Sequence, residues 1–221
     1  MCFSAGASFT TSAVLATAGT ATLRETRSKR EWLLAAFPII FSVHQCIEGA
    51  LWLTIGKGQL QSLAHGLTLS YLLVAYCFWP VGAPAAVYLI EPNADRKQRL
   101  LPLLVLGTGI SAYILYHMLL GHVEASFVHC SIAYDADIPH PNELTLLYAI
   151  AVLLPFFFSS YQPILVLGFI NAIFCGVAYY LYHVTFHSVW CFFAAALSVN
   201  IYLFFRWLHQ GWLRGKATSG E

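Results

Sequence analysis

The sequence predicts an all-α fold: one integral membrane domain over residues 1–221, a bundle of seven transmembrane helices with the N-terminus outside and the C-terminus cytoplasmic. Three observations predict it. Of the 221 residues, 59% are hydrophobic and 10% charged, against roughly 25% charged in soluble domains. Apolar runs of the roughly 20 residues needed to cross a hydrocarbon core recur along the whole chain, leaving no room for a soluble domain. Lys and Arg gather in short connections, and such clusters stay on the cytoplasmic side.

The first helix, about residues 3–23, consists almost entirely of Gly, Ala, Ser and Thr. Small residues let membrane helices approach closely, which places it in the bundle centre. No basic region precedes it, so it is read as a retained helix and not a cleaved signal. Arg24, Arg27, Lys29 and Arg30 then mark an inside loop. The second helix, about 32–55, carries His44, Glu48 and Trp52, which recur every four residues and share one face. The third, about 65–90, contains Pro80 and Pro84, whose missing N–H groups kink it. Arg96, Lys97 and Arg99 form the next inside cluster, and the fourth helix, about 100–120, climbs outward. Residues 121–143 read as one long outer loop without Lys or Arg. The fifth and sixth helices, about 144–160 and 163–182, flank a short turn, and the seventh, about 187–208, ends near Arg206, Arg214 and Lys216.

Several function classes drop out. A net charge of +1 with scattered cations makes no nucleic-acid groove. The six cysteines form neither a CxxC pair nor a haem-attachment spacing. The chain shows no internal repeat, which weighs against a transporter made of inverted halves.

This topology collects ligand-type side chains in the outer half of the membrane. His44 lies near mid-membrane, and at 1.5 Å per residue Glu48 sits about 6 Å nearer the outer face. His117 ends the fourth helix, His183 and His187 occupy the outer turn before the last helix, Cys191 lies just below it, and Cys2 is at the outer mouth. Cys2, His44, Glu48, His117, His183, His187 and Cys191 together offer N, O and S donors for a divalent transition metal, zinc first. An open coordination position activates water, and Glu48 acts as general base where it is not itself a ligand. The first reading is therefore a metal-binding membrane protein, a candidate membrane-embedded hydrolase, with Trp52 and Trp190 beside the site. The alternative is a non-enzymatic subunit binding a small molecule or haem, since two histidines on facing helices can ligate haem, or a transporter. Expected partners are membrane lipids and a lipid or small-molecule ligand, with no nucleic acid, in a bacterial inner membrane.

Plain readings stand beside these. His44 and Glu48 also serve as a buried pair holding helices together, and the outer histidines as solvated imidazoles. Cys2 and Cys130 face an oxidising compartment and can pair, while Cys46, Cys77 and Cys175 read as small apolar filler.

Two resemblances follow from particular residues. The opening Met1-Cys2-Phe3-Ser4-Ala5, the segment from His44 to Trp52, and Ser188-Val189-Trp190-Cys191 resemble a family of uncharacterised bacterial multi-pass membrane proteins beginning MCFSA. That resemblance covers most of the chain and implies that Cys2, Glu48, Trp52, Trp190 and Cys191 are signature positions. The head of the last helix, His187 to Cys191, is also similar to the alkaline ceramidase group of seven-helix metal-dependent membrane hydrolases. That group has His-x-x-Trp-His there, and Cys191 stands in the second histidine position.

Overall fold

The computed structural model describes residues 4–128 and 131–218, with side chains described through His209. Helices account for nearly all of it. They are α1 (Ala5–Glu25), α2 (Trp32–Thr54), α3 (Gln61–Leu72), α4 (Trp79–Ile90), α5 (Ala94–Leu120), α6 (Pro141–Phe157), α7 (Gln162–Leu181), α8 (Phe186–Ser198) and α9 (Asn200–Thr218). Five helical spans are long and apolar enough to cross a membrane: Trp32–Thr54, Gly58–Ile90, Ala94–Leu120, Gln162–Leu181 and His183–His209. Pro141–Phe157 is apolar but shorter.

The first helix sits at the periphery and not in the centre. Only Ser8, Leu15, Gly19 and Thr22 of α1 are fully buried. Its small side chains permit one intimate contact, with α2. Ser12 Oγ donates to the Ser42 carbonyl at 2.8 Å, and Ser42 Oγ returns a 2.8 Å bond to the Ser12 carbonyl. Gly19 meets Ile39, where any added Cβ would overlap.

The third span carries Pro80 and Pro84 in α4, and a π-helical stretch, Leu73–Phe78, lies between α3 and α4. A π turn leaves carbonyls without their ordinary partners, and such bulges recur at functional sites. Side chains from three other helices take up those carbonyls. His44 Nε2 bonds the Tyr71 oxygen at 3.1 Å, Tyr148 donates to Ala75 at 2.5 Å, and Ser111 donates to Cys77 at 2.8 Å. One turn on, Pro84 cannot donate to the Pro80 carbonyl. That freed oxygen presses against Gly107 of α5, where there is no space for a side chain.

The loop over residues 121–143 is not irregular throughout. Its residues Val123–Val128 (β1) and Ser131–Ala136 (β2) form an antiparallel hairpin. The sequence carries the period-two signal for it: Val123, Ala125 and Phe127 oppose Ala136, Tyr134 and Ile132 on one face, while Glu124 opposes Asp135 on the other. Phe127 stacks on Trp52 and Tyr134 on Tyr71, with ring centroids 4.9 and 4.2 Å apart, so the hairpin caps α2 and α3.

At the opposite end, Glu91 accepts from Ser160 Oγ at 2.5 Å, Ser160 N at 2.7 Å and Asn93 N at 3.0 Å. Arg96 donates to the Ser159 carbonyl at 2.8 Å. These bonds fasten the α4–α5 turn to the α6–α7 turn.

Candidate functional site

The centre of the site is Glu48, fully inside the bundle on α2. Ser188 of α8 donates to its Oε1 at 2.5 Å, and Gln45 Nε2 donates to its Oε2 at 3.1 Å. The ion pairs among the described residues involve Glu124 and Glu31 and leave Glu48 without a cationic partner. A charge in hydrocarbon is costly unless paired or neutralised, so this carboxyl either carries a proton or faces a cation.

His44 lies one turn away with its ring stacked on Tyr71 at 3.9 Å. A carbonyl can only accept, so the bond from His44 to the Tyr71 oxygen requires hydrogen on Nε2. In the neutral ring Nδ1 is then a bare lone pair, and it is buried without a partner. Tyr71 stacks in turn on Tyr134. Both tyrosine hydroxyls are within electrostatic reach of Glu48 and Cys191, and neither makes a well-aligned hydrogen bond. Burial, and after it the neighbouring Glu48 and Cys191, holds the Tyr134 hydroxyl well above the ordinary phenol range. Tyr134 is therefore a standing hydrogen-bond donor.

Two cavities flank this cluster. Towards the hairpin lies a vestibule of about 290 Å³, bordered by Tyr76, Tyr134, Asp135, Tyr148, His183 and His187. Tyr76 OH and His187 Nδ1 are hydrogen-bonded there at 3.2 Å. On the other side is a cavity of about 50 Å³ walled by Phe41, Trp79, Val152, Trp190 and Cys191, in which Trp190 Nε1 donates to Asn171 Oδ1 at 3.0 Å.

The proposed metal ligands divide among these places. Glu48 and Cys191 come together in the core, with His44 beside them. His183 and His187 belong to the vestibule, and the His117 ring packs against Tyr113 and Tyr116 of its own helix. Cys2 lies outside the described residues, as does Cys130 of the suggested disulfide. Among the described residues, no three His, Cys, Asp or Glu side chains lie close enough together to hold a metal ion. Of the two tryptophans, Trp52 lies under the hairpin with Nε1 unpartnered, and Trp190 lines the inner cavity.

Sequence reasoning missed Tyr71, Tyr134, Tyr76 and Asn171. Tyr134 was legible in the alternation Ile132, Tyr134, Ala136. The others are ordinary apolar-helix residues until long-range packing brings them to Glu48 or Trp190.

A family model matches residues 1–214. The chain belongs to the DUF6629 family. DUF6629 is described as a family of unknown function, so membership adds no chemistry to the geometry. Comparison with curated proteins and with solved structures finds no match to this DUF6629 chain.

Proposed function

We propose that the protein crosses a bacterial inner membrane seven times, N-terminus outside, and binds a small molecule in its core through Glu48. Adding α1 and α6 to the five long apolar spans gives the seven crossings, and the basic clusters after α1, after α4 and within α9 supply the orientation. One observation carries the binding reading. Around a carboxyl with no cationic partner among the described residues, Gln45 Oε1 and His44 Nδ1 are buried without partners, and the Tyr71 and Tyr134 hydroxyls meet only each other and Cys191. Buried polar groups are nearly always satisfied, by protein, water or ligand. Two open acceptors and two loosely held phenols beside one carboxyl support a small polar guest there.

Native mass spectrometry of detergent-purified protein tests this. Wild-type protein is expected to retain a small-molecule adduct that Glu48→Gln loses with its fold intact. Absence of any adduct, with only ordered water in a density map of the core, ends this reading.

A second reading rests on donor type: Cys191 neighbours Glu48, and the bare His44 Nδ1 lies one turn away, although the three are not close enough together as they stand to hold an ion and would have to draw inward around it. These are O, S and N donors suited to zinc, with Glu48 alternatively a general base for hydrolysis of a lipid. Elemental analysis separates the two: near-stoichiometric zinc, reduced by Cys191→Ser, supports the metal, and metal-free folded protein dismisses it. A haem absorption band in the same preparation would assign the pocket to that cofactor instead.

A further inference from the structure

The vestibule is built differently from the core. Its wall is a continuous series of rings running from α6 through the π stretch to α8 and α7. Tyr148 meets Tyr76 at 6.4 Å between centroids, Tyr76 meets His187 at 4.7 Å, His187 meets Phe186 at 4.9 Å, Phe186 meets Tyr179 at 5.7 Å, and Tyr179 meets His183 at 5.2 Å. Four of these five contacts have interplanar angles between 72° and 87°, and the fifth is at 58°. Successive rings therefore stand as the walls of a box and do not fill the space by stacking. Asp135 also borders the box, close enough to Tyr76 to interact with it electrostatically. Neither Lys nor Arg lines it.

We propose that this vestibule is a binding site for a small organic ammonium ion. Ring faces carry negative quadrupole potential, and clusters of perpendicular aromatic rings recognise ammonium groups, quaternary ones above all. Asp135 adds a formal negative charge on the hairpin side. A volume of about 290 Å³ is that of roughly ten waters at ~30 Å³ each, enough for a cation the size of choline. An anion would find neutral donors but also the Asp135 carboxylate, with neither Lys nor Arg to offset it, and a purely apolar guest would leave the Tyr76 hydroxyl, Asn142 and Thr145 unused. The site does not rest on the Glu48 reading: Tyr134 borders both, but the perpendicular rings and the Asp135 carboxylate belong to other positions.

The probe is choline, compared with its uncharged carbon isostere, in calorimetry on the detergent-solubilised full chain. Saturable choline binding is expected, with the isostere at least about tenfold weaker. Tyr179 is 46% exposed, so truncating it removes little buried area. Tyr179→Ala is expected to weaken choline binding about fivefold to thirtyfold, and Tyr179→Phe to preserve it. Asp135→Asn should weaken it about fivefold at low salt. Tyr180→Ala, at a neighbouring position that is 86% exposed, should change nothing.

Equal affinity for the isostere, no saturable heat, or indifference to Tyr179→Ala overturns the proposal. Nanodiscs then identify the source of the ammonium. Weaker choline binding in phosphatidylcholine than in phosphatidylglycerol discs means a lipid headgroup occupies the site, and equal binding means a free amine does. A protein that binds choline but carries no Glu48-dependent adduct keeps the vestibule and loses the core reading. The reverse result does the opposite.

Discussion

Ser188 Oγ lies 2.5 Å from Glu48 Oε1, a hydrogen bond between residues 140 apart in the chain that joins α8 to α2 at the centre of the bundle. Together with the Gln45 amide on the other oxygen, it is what replaces water around this carboxyl. The arrangement satisfies each oxygen once and leaves accepting capacity unused, so the site is held in shape while remaining able to take a further donor.

Removing that bond has a defined cost. Ser188→Ala leaves Glu48 Oε1 buried without its donor, and an orphaned buried group costs about 1–3 kcal/mol, more where it is charged. Thermal unfolding in detergent should show the loss. Adding Glu48→Gln to the same variant should recover part of it, because the neutral amide requires less compensation. A Ser188→Ala protein as stable as wild type would mean that the hydroxyl is not what stabilises the carboxyl.

The contact between Gly107 and Pro80 yields a sharper contrast. A Cβ at Gly107 would overlap backbone, the Pro80 carbonyl, which cannot swing aside as a side chain can, whereas a Cβ at Gly109 meets nothing. Gly107→Ala is expected to destabilise by about 1–3 kcal/mol through forced separation of α4 and α5. Gly109→Ala should be neutral or slightly stabilising, since Ala has the better helix propensity. Equal effects of the two, measured by detergent unfolding, would argue against the close crossing.

How legible this was depended on the range of the interaction. Helix bounds followed from apolar length and from Pro and basic punctuation, so the second span fell at Trp32–Thr54 against an expected 32–55. Asn93 lengthened the fourth by capping α5, its side chain accepting from Arg96 N at 3.0 Å. The position of α1 was misread because small residues encode closeness to one neighbour and say nothing of how many neighbours surround a helix. The hairpin was overlooked because six-residue strands give a weak signal beside strong membrane spans. Glu48 stood out as a carboxyl in an apolar run. Its phenolic neighbours did not, since Tyr71 and Tyr134 come from elements 23 and 86 residues further along and are joined to it only by packing.

The serines of α1 and α2 permit a direct measurement of coupling. Ser12 and Ser42 exchange two hydrogen bonds to each other's carbonyls, so each single alanine variant removes one and loosens the other. A double-mutant cycle should return a coupling of about 0.5–1.5 kcal/mol, the range of interhelical polar contacts in membranes. Additive effects would show that α1 is held by shape alone.

Tyr134 connects the hairpin to pH. Burial first, then Glu48 and Cys191, raise its ionisation in the folded protein well above the ordinary value, whereas in the unfolded chain it titrates near pH ~10. A group whose folded pKa is raised contributes its full stabilisation below the unfolded value and loses it as pH climbs past that point. Stability should therefore be flat from neutral pH to about pH 10 on this account and fall above it. Tyr134→Phe keeps the stack on Tyr71 while removing the ionisable hydroxyl, so the variant should lose less stability on the alkaline side. Phenolate absorbance should show one late-titrating tyrosine fewer in the variant. If the two proteins follow the same alkaline curve, the hairpin does not seal Tyr134 over Glu48, and water reaches the core from the hairpin side.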